Sequence, residues 1–410
     1  MDAKAADIKN ADPVRLLMYS HDSWGLGHLR RSLAIAGAVT GRIAGANVLI
    51  VTGSPCATQF ELPERVDVLK LPAVSKADCG RYISRHWPGR LQGTLELRRR
   101  LINESYRAFD PQIVIVDHQL TGLYHEALPM LREARAAGKT LIYGMRDVLD
   151  APETVAEQWR GDEQQWALHE GYDLICVYGT PEVYDPRIEY HELDRHRDRI
   201  VFSGYVAAPA PAFRWRAIPS LRRSVLVTMG GGGDGAERIR SYLAALSLAP
   251  PDWDSQIVCG PLLEHEQVDM LRGEISRLGL GDVVQLDRFS DDVPKRMREA
   301  DAIVSMAGYN SCAEILQSRV PAVLMPRTQP RTEQLIRATQ LERLELARCQ
   351  TDHSPDALRQ AVEAALQQHK PVGKVPSLDG LTRVCDLVES RVAAAPRQPS
   401  PKQPEAARAV

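Results

Sequence analysis

Short apolar runs separated by helical stretches recur along most of this chain, and the pattern starts twice. Val14-Arg15-Leu16-Leu17-Met18-Tyr19 opens the first series and runs into Ser20-His21-Asp22-Ser23-Trp24-Gly25-Leu26-Gly27-His28. Val225-Leu226-Val227-Thr228-Met229 opens the second and runs into Gly230-Gly231-Gly232-Gly233-Asp234-Gly235. A continuous short apolar run suits a strand buried on both faces, and a helical connection of about ten or more residues returns the chain to start a parallel neighbour. The repeat predicts an α/β protein of two doubly wound, Rossmann-like domains, each with a glycine turn after its first strand. Ligands bind beyond the carboxyl ends of the strands in such sheets, so two of them facing each other enclose a cleft.

Further strands are predicted at Val48–Val51, Val66–Leu69, Gln112–Val116, Leu141–Tyr143, Asp173–Val177 and Ile200–Phe202. The second series continues at Ile257–Cys259, Val283–Leu286, Ala302–Val304 and Ala322–Met325. Residues 75–90 read as a long loop before a basic helix over 91–108. Pro209, Pro211 and Pro219 mark a stiff linker. The expected organisation is a loose tail over 1–13, a first Rossmann-like domain over 14–206 and a linker over 207–220. A second Rossmann-like domain covers 221–377, a helix covers 378–393 with Leu381, Val384, Leu387 and Val388 on one face, and 394–410 is a disordered tail.

A formal net charge of −2 implies no general attraction for nucleic acid or an anionic surface. The basic runs Arg30-Arg31 and Arg98-Arg99-Arg100 read as solvated helix faces, with contact to an anionic or lipid-linked substrate as the other reading. Seven cysteines are scattered with no C-x-x-C pair and no metal-ligand spacing. No run of about 18 apolar residues occurs and the N-terminal stretch has no apolar signal region, so a cytoplasmic protein is expected.

The turns carry the chemistry. Gly230, Gly231, Gly232 and Gly233 let successive backbone N–H groups converge on an anion, and the following helix start adds its dipole. A tight turn needing positive φ accounts for the same residues. Ala307-Gly308 gives a second small turn, where Asn310 or Ser311 can cap a helix and Glu314, one turn in, can reach ribose hydroxyls. An ordinary strand–turn–helix junction is the alternative. Phe289 followed by Ser290 could lie against a nucleobase, or be a core residue before a capping Asp. Glu333 and Gln334 offer acceptors and donors to sugar hydroxyls, and Arg327 and Arg331 could meet phosphate. In the first domain Gly27 clears room for a ligand and His28 starts a helix facing the cleft. A neutral His suits removal of a proton from a hydroxyl near pH 7. His21 and Asp22 are rivals at the same strand end, and Asp117 could orient a His or act as base itself.

With these residues in view the chain resembles the GT-B nucleotide-sugar glycosyltransferases, family 28 above all, over residues 14–390. Leu26-Gly27-His28 followed by Leu33-Ala34-Ile35-Ala36 is similar to that family's first-domain turn and helix. Gly230 to Gly233 looks like its donor-phosphate loop, Phe289 to Asp292 its uracil-flanking stretch, Gly308 to Glu314 its ribose motif, and Arg331 to Gln334 its donor-sugar motif. Departures are Glu333 in place of a Gln, Arg337 in place of an Asn, and Gly204-Tyr205-Val206-Ala207 where an Arg contact to phosphate is usual.

The resemblance implies an inverting transferase that moves a hexose or N-acetylhexosamine from a nucleoside-diphosphate sugar, UDP-linked by expectation, to an unknown acceptor hydroxyl. His28 and Asp117 would be catalytic. The donor would be held by Gly27, Gly230, Gly231, Gly232, Gly233, Phe289, Ser290, Gly308, Asn310, Ser311, Glu314, Glu333 and Gln334. No metal cofactor is expected. The acceptor could be a glycan, a lipid-linked sugar or a small molecule; peripheral contact with the inner face of a membrane, through Trp87, Leu91 and the Arg98 run, fits the second case. A nucleotide-sugar epimerase and a non-catalytic nucleotide-sugar-binding protein are the other readings.

Overall fold

The structure, a computed structural model, describes residues 13–21, 27–76, 82–207, 222–368 and 370–394. Its first sheet has seven parallel strands: β1 Arg15–Ser20, β2 Asn47–Thr52, β3 Val66–Lys70, β6 Ile113–Asp117, β7 Thr140–Arg146, β8 Leu174–Tyr178 and β9 Ile200–Phe202, in the order β3-β2-β1-β6-β7-β8-β9. The second has six: β10 Arg223–Thr228, β11 Trp253–Val258, β12 Val284–Asp287, β13 Ala302–Ser305, β14 Ala322–Leu324 and β15 Arg348–Cys349, in the order β12-β11-β10-β13-β14-β15. Each sheet therefore runs outward one way from its first strand, then reverses. The reversal leaves a crevice between β1 and β6, and another between β10 and β13.

The strands form where expected because their side chains are apolar on both faces. Leu16, Leu17, Met18, Val114, Ile115, Val225, Val227 and Ile303 are all at most 1% exposed. Burying a side chain of this kind contributes about 1.5–3 kcal/mol, and helices cover both faces of each sheet.

Two expectations need correction, and the last helix takes a place that the sequence reading left open. Residues 75–90 are not all loop: β4 Val74–Lys76 pairs antiparallel with β5 Tyr82–Ser84, and Val74 packs with Leu95 and Leu123 under the hairpin. The last helix, Gly380–Ala394, returns to the first domain. Its Val384, Cys385 and Val388 join the core that contains Leu16 and Leu33, and Arg42 meets Asp386 and Glu389. Nor are the basic runs wholly solvated. Arg31 and Arg98 are each 3% exposed, and Arg98 holds Glu126 through two bonds of 2.6 Å. Arg98 is therefore unavailable to a membrane surface, and Leu91 packs against the Val74 cluster; Trp87 remains 45% exposed. The tails and nearly all of the expected linker lie outside the described residues. Among the described residues no helix is long and apolar enough to cross a membrane.

The chain passes from the second domain to its last helix beside the end of the first. Tyr205 donates its N–H to Ser377 O at 2.9 Å, Gly380 donates to Tyr205 O at 3.2 Å, and Val206 bridges Asp379. Gly204 makes this possible. Its φ is +83°, and a Cβ there would stand 2.7 Å from Ser377 Oγ.

Candidate active site

The two crevices face each other. A cavity of about 760 Å³ lies between the domains, lined by the glycine turn after β10, the turn after β13 and the start of the helix Gly27–Arg42. All thirteen residues expected to hold a donor line it, as does His28. Asp117 stands behind His28. Gly25, Leu26 and Asp22 lie outside the described residues.

On the second domain the backbone converges by close approach. Gly230 (φ +60°) and Gly232 (φ +88°) have the left-handed conformation, so the tight-turn reading holds as well. A Cβ on Gly232 would stand 2.4 Å from Cys259 O, which requires glycine whatever the turn binds. A Cβ on Gly230 would come within 3.4 Å of Ser311 Oγ, so this turn abuts the start of the helix Tyr309–Ser318. That helix begins one residue before Asn310, with Gly308 at its N-cap position and no side-chain cap. Asn310 does not cap it. Its Nδ2 instead crosses the cleft and donates to Gly27 O at 3.0 Å. Two helix N-termini and a glycine turn thus meet at one place, each presenting N–H groups favourable to an anion.

Glu314 is 8% exposed and accepts from Arg30 Nη2 of the first domain at 2.8 Å. Burial pushes its carboxyl above the usual range, against the pull of Arg30. Phe289 is half exposed at the cavity wall, not a core residue, while Ser290 bonds Asp292. Glu333 is 4% exposed; its Oε1 accepts from Arg327 Nη2 at 2.6 Å, and its buried Oε2 has no hydrogen-bond partner. Gln334 Oε1 accepts from the Arg327 backbone N–H at 3.0 Å. Arg331 does not line the cavity and lies 4.0 Å from Asp150.

On the first domain His28 Nδ1 bonds Asp117 Oδ2. Arg31 donates to both oxygens of the same carboxylate, at 2.8 and 2.7 Å from Nη2, and its guanidinium lies over the rings of Tyr178 and Tyr309. Asp117 is 2% exposed and fully engaged, so it is placed to orient rather than to accept a proton. Burial pushes Asp117 up, but Arg31 and His28 outweigh it and hold the carboxyl at about 2. Burial pulls His28 down to about 4 against the opposing effect of Asp117. The pair is therefore carboxylate and neutral imidazole at neutral pH. With Nδ1–H on Asp117, the lone pair lies on Nε2. His21 is 9% exposed, its ring centroid 6.1 Å from that of His28, and it does not line the cavity.

Residues to which the sequence reading gave no role also stand here. His118 packs 4.9 Å from His28, ring to ring, and Arg146 lines the cavity. Asp147 and Arg337 are both 0% exposed and join the domains through bonds of 2.8 and 2.7 Å. Arg146-Asp147 was findable by the signal that exposed Asp117: polar residues at the carboxyl end of a buried strand. Among the described residues no group of three or more His, Cys, Asp or Glu is disposed to hold a metal ion.

Residues 227–373 match the model of the glycosyltransferase family 28 C-terminal domain. Over that stretch the chain is family 28-like. A UDP-N-acetylglucosamine–N-acetylmuramyl-(pentapeptide) pyrophosphoryl-undecaprenol N-acetylglucosamine transferase from Leuconostoc citreum (strain KM20) is 30% identical over 125 residues, covering 30% of this chain. The match spans about a third (33%) of that relative's length. In fold the whole chain is GT-B. It aligns over 92% of its length with MurG from Acinetobacter baumannii, at 17% identity and a TM-score of 0.57, covering 100% of that chain. It aligns over 94% with CalG4, the calicheamicin glycosyltransferase, at 16% identity and 0.60, again covering 100% of the other chain. The resemblance read from the motifs is borne out for the family 28 domain and for the GT-B fold.

Proposed function

We propose that the protein is an inverting glycosyltransferase that takes its sugar from a UDP-sugar. The observation that carries this reading is the opposition, across one cavity, of an anion-favouring convergence of helix starts and glycines to a neutral imidazole held by a buried carboxylate. The family 28 domain and the donor named for its relatives support UDP as the carrier. The uracil would lie against Phe289, the ribose hydroxyls would donate to Glu314, and the diphosphate would meet N–H groups of the Gly230 turn and of the helix at Tyr309. Glu333 and Gln334 would take hydroxyls of the sugar.

The acceptor oxygen attacks the anomeric carbon as the bond from that carbon to the diphosphate oxygen breaks. The bonding pair leaves with the diphosphate, and the hydroxyl proton goes to His28 Nε2. One displacement from the face opposite the leaving group inverts the anomeric carbon. The leaving charge is met by amide groups and by Arg30, which stands at the same mouth. The acceptor enters from the first domain, and a lipid-linked sugar, such as the relatives' names describe, is one acceptor of the expected kind.

A screen of UDP-, dTDP- and GDP-sugars by thermal shift tests the donor. A UDP-sugar is expected to raise the melting temperature most, since stabilisation grows with ligand over its dissociation constant. With that donor and an acceptor extract, proton NMR should find the product anomer opposite to the donor's, formed at the same rate in EDTA. A flat response to every nucleotide, or a product with the donor's own anomeric configuration, overturns the reading.

A further inference from the structure

The guanidinium groups around the cavity are paired, with one exception. Arg30 holds Glu314, Arg31 holds Asp117, Arg327 holds Glu333 and Arg337 holds Asp147. Arg146, at the end of β7, makes no ion pair among the described residues. Its polar contact is a long one, 3.4 Å from Nη2 to His118 Nε2, and its buried Nε–H has no acceptor. His118 is 8% exposed, and its buried Nδ1 is likewise without a partner. A guanidinium does not shed its charge at neutral pH, and a sheltered cation without a counter-ion is costly. Burial pulls Arg146 down to about 10, and Arg337, Arg31 and Arg331 act in the same direction against Glu333. No carboxylate pairs with Arg146 directly, since Glu333 and Asp234 are both held by Arg327, and the open side of Arg146 is the cavity.

We propose that Arg146, with His118 beside it, receives an anionic oxygen group, carboxylate or phosphate, that a substrate carries close to the hydroxyl served by His28. The planar fork of the guanidinium matches either group through two parallel hydrogen bonds. The anion belongs either to the acceptor or to the donor sugar, as the carboxylate of a hexuronate. In either position it also stabilises the His28 imidazolium and so strengthens that base. The inference rests on the transferase reading for the role of His28 alone; the free cation stands without it.

Calorimetric titration of the full chain tests it in two arms. The acceptor arm compares glucose 6-phosphate and glucuronate with glucose, with and without saturating UDP. The donor arm compares UDP-glucuronic acid with UDP-glucose. In at least one arm the anionic probe is expected to bind about tenfold or more tighter than its neutral partner, the scale of a charged hydrogen bond. Arg146→Met should remove that preference and leave the affinity for UDP itself unchanged. Arg146→Gln, which keeps amide donors without the charge, should do the same if the Met variant fails to fold. Equal binding of anionic and neutral probes in both arms, or a preference that survives both substitutions, overturns the proposal. Failure of the parent to bind UDP instead counts against the transferase reading, while the acceptor arm without nucleotide still reads Arg146.

Discussion

His28→Ala is expected to lower kcat by ~10³-fold at neutral pH and to leave UDP-sugar affinity close to that of the parent, since a positioned general base contributes on this order. The substitution is a clean one. It removes the imidazole but leaves Asp117 bonded to Arg31, so no buried charge loses its counter-ion. Asp117→Ala would be a poor substitute, because it strands Arg31 in a site where it is 3% exposed. The pH profile adds a second reading. Only neutral His28 accepts a proton, and its pKa of about 4 places the acid limb of kcat/KM near pH 4 rather than 6.5. The limb of kcat, which reports the enzyme with donor bound, should lie higher, because the diphosphate stabilises the imidazolium. A His28→Ala variant that keeps most of its turnover would remove the base from the account.

Arg337→Ala is expected to cost about 3–5 kcal/mol of stability, the scale of breaking a buried pair by removing one partner. The pair is wholly buried, and Asp147 also accepts from Tyr205 Oη at 2.8 Å. Burial pushes the Asp147 carboxyl up, but Arg337 outweighs that and holds it below its usual range. Loss of the guanidinium leaves a carboxylate between the domains with two neutral donors, Tyr205 Oη and the Val148 N–H, and no counter-ion. Arg337 also donates from Nη1 to Ala307 O at 2.7 Å, so the turn that carries Gly308 loses its support. Urea denaturation should show the loss as a lower midpoint. Arg337→Met combined with Asp147→Leu should recover much of it, because well-packed apolar residues can replace a buried pair at little cost. A midpoint for Arg337→Ala equal to that of the parent would show that the pair does not fasten the domains.

The strands and turns were legible because their signal is local. A run such as Ile113–Val116 can hardly be other than a buried strand, and a polar residue at its carboxyl end, such as Asp117, faces the crevice by topology. The cavity-lining residues were legible for the same reason, since they lie on the turns and helix starts that follow strands. What the sequence hid is pairing across the cleft. Nothing local says that Asn310 reaches Gly27 instead of capping its own helix, or that Arg30 holds Glu314. Arg31 and Arg98 read as solvated because a basic run usually is; their partners, Asp117 and Glu126, lie far along the chain. The pairing of Val74–Lys76 with Tyr82–Ser84 escaped because these strands are only three residues each, too short for alternation to show.

Titration of UDP into the parent and into Glu314→Ala tests the donor site most directly. Arg30 is over a third exposed, so its ion pair with Glu314 adds little to stability and the variant should fold. The account predicts a UDP affinity about tenfold or more weaker in the variant, as ribose hydroxyls lose a charged acceptor, with an unchanged melting temperature. Equal UDP affinity in the two proteins would contradict it.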